Sequence, residues 1–133
     1  MSTRSVITFK DEHGAHSVYR HSDGYPNSKY GVVAALAAFL ADGIKCWTLP
    51  RFEADEAAAG FIATYKTGQG NYRLTSGPEA HCDIAYYYVL SFAGKLTLTV
   101  NEVVVGGWDG EPQVFKKLGS GTLTAMVKKF ASE

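Results

Sequence analysis

The chain has 133 residues, 46% of them hydrophobic, with 13 basic and 13 acidic side chains that leave no net charge. One domain, residues 1–133, is expected at this length, and it can bury about two-thirds of its unfolded surface without help from disulfides. The basic residues are scattered, which argues against a dedicated nucleic-acid binder needing an electrostatic stripe. The longest apolar run, Val32 to Ala41, is too short and alanine-rich to span a bilayer, and no signal-peptide pattern opens the chain. A cytoplasmic protein is therefore expected. Cys46 and Cys82 have no metal-type spacing and fit buried, reduced thiols, with a disulfide between them as the alternative that nothing in the sequence supports.

Ser5–Lys10 and His16–Arg20 carry the β-branched and aromatic residues of two strands, with the polar run Asp11-Glu12-His13-Gly14 between them. With all four polar residues in the loop, Lys10 faces Ala15, Ile7 faces Val18, Val6 faces Tyr19 and Arg4 faces His21. A loop one residue shorter moves every pair. Ser22-Asp23-Gly24-Tyr25-Pro26-Asn27-Ser28 then turns the chain from strand to helix, because Asp-Gly and Tyr-Pro both favour turns and Asn27 or Ser28 can cap the helix beyond.

This corner is the one suggestive polar cluster. Arg4, Arg20, His21, Asp23 and Tyr25 could converge on a small pocket, with an arginine holding an anion, Asp23 orienting His21 as a proton shuttle, and Tyr25 closing over them. The simpler account is structural: the segment only turns the chain, and Asp23 is tied to backbone or to an arginine. No nucleophile is identifiable; Cys82 and Ser22 qualify by type alone, so no catalytic residue is assigned. A metal site from His21, Asp23 and His81 lacks a recognised ligand spacing, and neither metal nor cofactor is expected.

Ser2-Thr3-Arg4, followed by a strand, a turn and then His21, Asp23, Gly24, Tyr25 and Pro26 before a helix, resembles a group of small uncharacterised proteins from phages, prophages and other mobile elements. Those relatives often carry Trp between the His and the Asp, where this chain has Ser22. The resemblance covers roughly the first quarter of the chain. It implies a genomic setting, and no activity comes with it.

Tyr30 to Asp42 has the spacing of a helix, with Val32, Val33, Leu36, Phe39 and Leu40 on one stripe and Gly43 as a cap. Residues 44–52 form a connector whose Trp47, Leu49 and Phe52 are expected to plug the core rim; an exposed Trp47 would instead mark a partner surface. Glu53 to Thr67 is a second helix, with acids at its start and an Ala58, Phe61, Ile62, Tyr65 stripe. The loop Gly68-Gln69-Gly70-Asn71 lacks the context of a phosphate loop. Tyr72 to Ser76 is a short strand and Gly77-Pro78-Glu79-Ala80 a turn. In His81-Cys82-Asp83 neighbouring side chains alternate faces; Asp83 could pair with His21 or Arg20.

Ile84 to Phe92 and Leu96 to Val104 alternate most clearly. A turn at Ala93-Gly94-Lys95 sets Phe92 against Leu96, Leu90 against Leu98, Tyr88 against Val100, Tyr86 against Glu102 and Ile84 against Val104. The other face carries Tyr87, Thr97, Thr99 and Asn101. Left uncovered, Tyr87, Thr97 and Thr99 offer a partner surface, with a homodimer as the expected partner. Trp108 lies among glycines as either lid or plug. Gln113 to Leu118 is a last strand, broken by Gly119-Ser120-Gly121. Thr122 then caps a helix with Leu123, Met126, Val127 and Phe130 on one stripe.

The expected fold is α+β: an antiparallel sheet of about five strands with two or three helices mainly on one face. The expected function is that of an accessory or binding protein of a mobile genetic element, acting through a surface or a small pocket on a protein or small-molecule partner. The alternative is a small-ligand-binding protein or enzyme with its His/Asp/Arg site at the end of the first hairpin.

Overall fold

Alternating apolar residues build one sheet, and three helical stripes cover one of its faces. The computed structural model describes residues 3–43, 52–68 and 71–131. The strands are β1 (Ser5–Asp11), β2 (Gly14–Arg20), β3 (Tyr72–Thr75), β4 (Tyr86–Phe92), β5 (Leu96–Val105) and β6 (Val114–Gly121). The helices are α1 (Val32–Gly43), α2 (Ala54–Tyr65) and α3 (Leu123–Met126), the last continuing as a π-helical turn through Ala131. The sheet order is β3-β2-β1-β4-β5-β6.

The α+β class and the three helices agree with the expectation from sequence. The sheet corrects it: among the described residues it has six strands, and they are mixed. β1 runs parallel to β4, with Ser5 beside Tyr86 and Lys10 beside Ser91, whereas all other neighbours are antiparallel. Both faces of β1 are lined by buried residues, since it lies at the sheet's middle between β2 and β4. The four-residue-loop register is the one adopted, and the ladder closes one step further, with Asp11 opposite Gly14. Asp11 explains that extra step. Its Oδ1 accepts from the amides of His13 and Gly14 at 2.9 and 3.1 Å, and its Oδ2 accepts from Ala54 N at 2.8 Å. One carboxylate thus ties the hairpin turn and caps α2, satisfying an amide that would otherwise lack a partner. These amide donors, Ala54 first, hold the Asp11 carboxyl below its ordinary range.

Ile7, Phe9, Val18, Tyr72, Tyr88, Leu90, Leu98 and Val100 form the helix-covered face with Val33, Leu36, Phe39, Phe61 and Met126. Each large side chain buried there contributes about 1.5–3 kcal/mol. Phe52 is buried at the rim as expected. Trp47, Leu49, Cys46, Gln69 and Gly70 lie outside the described residues.

The β4–β5 pairs follow the expected register from Phe92–Leu96 to Tyr86–Glu102. Ile84–Val104 does not form. Ile84 precedes β4 and packs on the opposite face with Val6 and Tyr19, and a bulge between Val103 and Val105 leaves Val104 exposed. The last strand also differs: it runs through Gly119-Ser120-Gly121. A Cβ on Gly119 would sit 3.3 Å from both Met126 Sδ and the Phe130 ring, so glycine there lets the C-terminal helix lie close to the strand. Thr122 is the cap, accepting from Ala125 N at 3.1 Å.

Candidate functional site

The turn after β2 is built as a packed joint. Gly24 N donates to Thr3 O and Val32 N to Tyr25 O, both at 2.9 Å, and the buried phenol of Tyr88 donates to Gly24 O at 2.6 Å. A Cβ on Gly24 would lie 2.7 Å from Ser5 Oγ and 2.8 Å from Thr3 O, so only glycine fits this approach. Asp23 takes a left-handed backbone at φ 55°. The Gly24, Tyr25 and Pro26 part of the motif therefore locks the start of α1 against β1 and β4.

The five candidate side chains do not meet at one point. Arg4 pairs with Asp83 at 3.2 Å. The His21 ring accepts or donates at 3.0 Å to the Tyr19 hydroxyl through Nδ1, and Tyr19 stacks on His81 at 4.5 Å between centroids. His81 in turn bonds Thr75 Oγ1 at 2.8 Å, and Gln113 Nε2 donates to the carbonyls of Pro78, His81 and Gly106, fastening the β3–β4 and β5–β6 connections together. Burial pushes the Tyr19 phenol up and the His81 imidazole down, so both are neutral near pH 7. A neutral, stacked Tyr–His pair is packing on the face away from the helices. Asp83, expected beside His21 or Arg20, is taken by Arg4.

Arg20 points the other way, toward the helices. It is 9% exposed, and its guanidinium carbon lies 5.5 Å from the centre of the Tyr72 ring. Its Nε donates to Ser22 O at 2.9 Å and its Nη2 to Tyr30 O at 3.0 Å; its Nη1 is buried without a partner among the described residues. Asp23 Oδ1 accepts from the Tyr25 hydroxyl at 3.0 Å, which raises the phenol's pKa. Arg20 and Asp23 line one cavity of about 340 Å³ with Ser22, Asn71 and Tyr72, and Tyr65 and Thr67 at the end of α2 complete its wall. Asn71 also holds a buried polar atom without a partner among the described residues, its Oδ1, while its Nδ2 donates to Thr67 Oγ1 at 3.2 Å. So the structure brings together Arg20 and Asp23, and separates them from Arg4 and His21. Asn71, Tyr72, Tyr65 and Thr67 are not among the site residues expected from sequence. The signal that could have found them is the β2–β3 pairing, Arg20 opposite Tyr72, which no hairpin turn announces.

Among the described residues, no helix covers the face that carries Tyr87, Thr97 and Thr99. All three are half-buried: the Tyr87 ring lies 5.1 Å from that of Phe115, and Thr99 bonds Ser120 Oγ at 3.1 Å. Among the described residues, no group of three or more His, Cys, Asp or Glu is placed to hold a metal ion, and no helix is long and apolar enough to cross a membrane. Cys82 is half-buried and free.

No family model matches the chain, and no solved structure does. Over 94 residues it is 33% identical to the flap endonuclease Xni of Edwardsiella ictaluri (strain 93-146), a similarity that covers 62% of this chain and 36% of that protein. The chain thus spans about a third of the relative it matches.

Proposed function

We propose that this chain is a non-enzymatic binding or accessory protein of a mobile genetic element, working through its surface as a homodimer. The genomic setting rests on the N-terminal signature from Ser2 to Pro26. The observation that carries the binding role is the apolar end of the β5–β6 ribbon. Val104, Trp108, Val114 and Phe115 are exposed there by 58, 59, 47 and 37%. Exposed apolar side chains are ordinary when single; four at one hairpin end, with Val114 and Phe115 on opposite faces of the strand, support a partner that wraps that end. β6 is also an edge strand, with one row of backbone donors and acceptors unpaired in the sheet. A second copy set against it by two-fold symmetry covers the strand and the apolar end together.

Sedimentation velocity from micromolar to millimolar concentration tests this. The expected result is a concentration-dependent dimer that Val114→Lys with Phe115→Lys converts to monomer at an unchanged melting temperature. A strict monomer throughout that range refutes the homodimer.

The endonuclease activity in the relative's name is not carried over. The similarity reaches only part of that protein, and the described residues offer no cluster of metal ligands of the kind that metal-assisted phosphodiester hydrolysis uses. An enzyme at the hairpin's end has less support than a ligand site, because the His21–Asp23 shuttle is not assembled: His21 bonds Tyr19 and Asp23 bonds Tyr25. One observation favours a ligand site, the cavity at Arg20.

A further inference from the structure

Arg20 is a buried cation without a counter-ion among the described residues. Both carbonyls it reaches are neutral, none of the described carboxylates forms an ion pair with it, and its Nη1 has no partner. Buried charges in folded proteins are paired, because an uncompensated one loses its hydration for nothing in return. A second orphan, the acceptor Asn71 Oδ1, is buried on a residue that lines the same cavity. Asp23 adds a carboxylate at the exposed rim.

We propose that this cavity binds a small zwitterionic carboxylic acid of the amino-acid type. The ligand's carboxylate meets Arg20 Nη1, and its ammonium donates to Asn71 Oδ1 with Asp23 nearby. The charge order of the wall, cation inside and carboxylate outside, matches a zwitterion and repels a polyanion such as phosphate. A volume of about 340 Å³ is at the small end for ligand pockets. It suits one small metabolite, with the Tyr72 ring 5.5 Å from the guanidinium carbon. The site goes beyond the dimer surface, involves none of its residues, and stands or falls without it.

A two-dimensional ¹H–¹⁵N titration of the intact chain tests the site, with L-alanine, sodium acetate and inorganic phosphate as separate probes. The expected result is saturable shifts at the Arg20 Nε–H and the Asn71 side-chain amide, tighter for L-alanine than for acetate by about tenfold, the value of one good charge-assisted hydrogen bond. Phosphate should move neither signal. Asn71→Ala keeps the backbone carbonyl that accepts from His21 N at 2.9 Å, and it should erase the preference for L-alanine over acetate while the core spectrum stays unchanged. An absence of saturable shifts with both carboxylates, shifts scattered over the surface, or an equal response to phosphate overturns the proposal.

Discussion

Replacing Tyr88 by Phe removes a single oxygen from the centre of the molecule. The ring is fully buried among the strands and helices, and its hydroxyl makes the 2.6 Å bond to the Gly24 carbonyl. Burial holds that phenol well above its ordinary pKa, so at neutral pH it is a neutral donor. Phenylalanine keeps the packing and leaves a buried carbonyl without its donor. The cost is the desolvation of that carbonyl, about 1–3 kcal/mol. For a chain of this length a loss of about 2 kcal/mol corresponds to a fall of about 7 °C in melting temperature and to a urea midpoint lower by roughly 1 M at an unchanged slope. Hydrogen exchange locates the loss: the amides of Gly24 and Val32, which bond Thr3 O and Tyr25 O in the same joint, should exchange faster than those in β5. A midpoint equal to that of the parent chain, with both amides still protected, would show that the joint does not depend on this bond, and the structural role assigned to the Gly24-Tyr25-Pro26 segment would fall with it.

Two further substitutions probe the frame around that joint. Ser5 is fully buried and its Oγ has no hydrogen-bond partner among the described residues, so Ser5→Ala should raise stability by about 1 kcal/mol in urea unfolding; a loss of stability contradicts the unpartnered hydroxyl. Asp11 has a lowered folded-state pKa because three backbone amides bond its carboxylate. Its contribution is therefore complete above the ordinary aspartate value of about 3.9 and disappears as the pH falls through the lower folded value. Urea midpoints measured against pH should show Asp11→Asn less stable than the parent at pH 7 and equal to it in strong acid. A gap independent of pH would mean that the charge is not what caps α2.

Local chemistry is legible in the sequence; the long-range meeting of segments is not. The Thr122 cap and the Val32–Leu40 stripe depend on side chains within a few residues of each other, and both appear in the structure. The register of the first hairpin stays open between two loop lengths in the sequence, and the structure adopts the four-residue loop that Asp11 ties. The parallel β1–β4 pair joins segments with no connecting turn to announce it. Gly119-Ser120-Gly121 reads as a break because glycine weakens a strand, whereas contact with Met126 and Phe130 from the next helix decides its use there. At the candidate site the sequence points to Arg20 and Asp23 and places Arg4 and His21 beside them. Strand alternation sends Arg20 to the helix side, while Arg4 and His21 find Asp83 and Tyr19 on the opposite side.

The parallel pair also dictates an order of events during synthesis. β1 leaves the ribosome well before β4, the neighbour that completes it, because β2, α1, α2 and β3 all lie between them in the chain. Until then the β1–β2 hairpin carries the apolar side chains of Ile7 and Phe9 and an open flank meant for β4. Closing so distant a contact is slow, and an incomplete sheet invites pairing with other nascent copies. A fragment ending before Tyr86 should therefore be insoluble however well its hairpin forms.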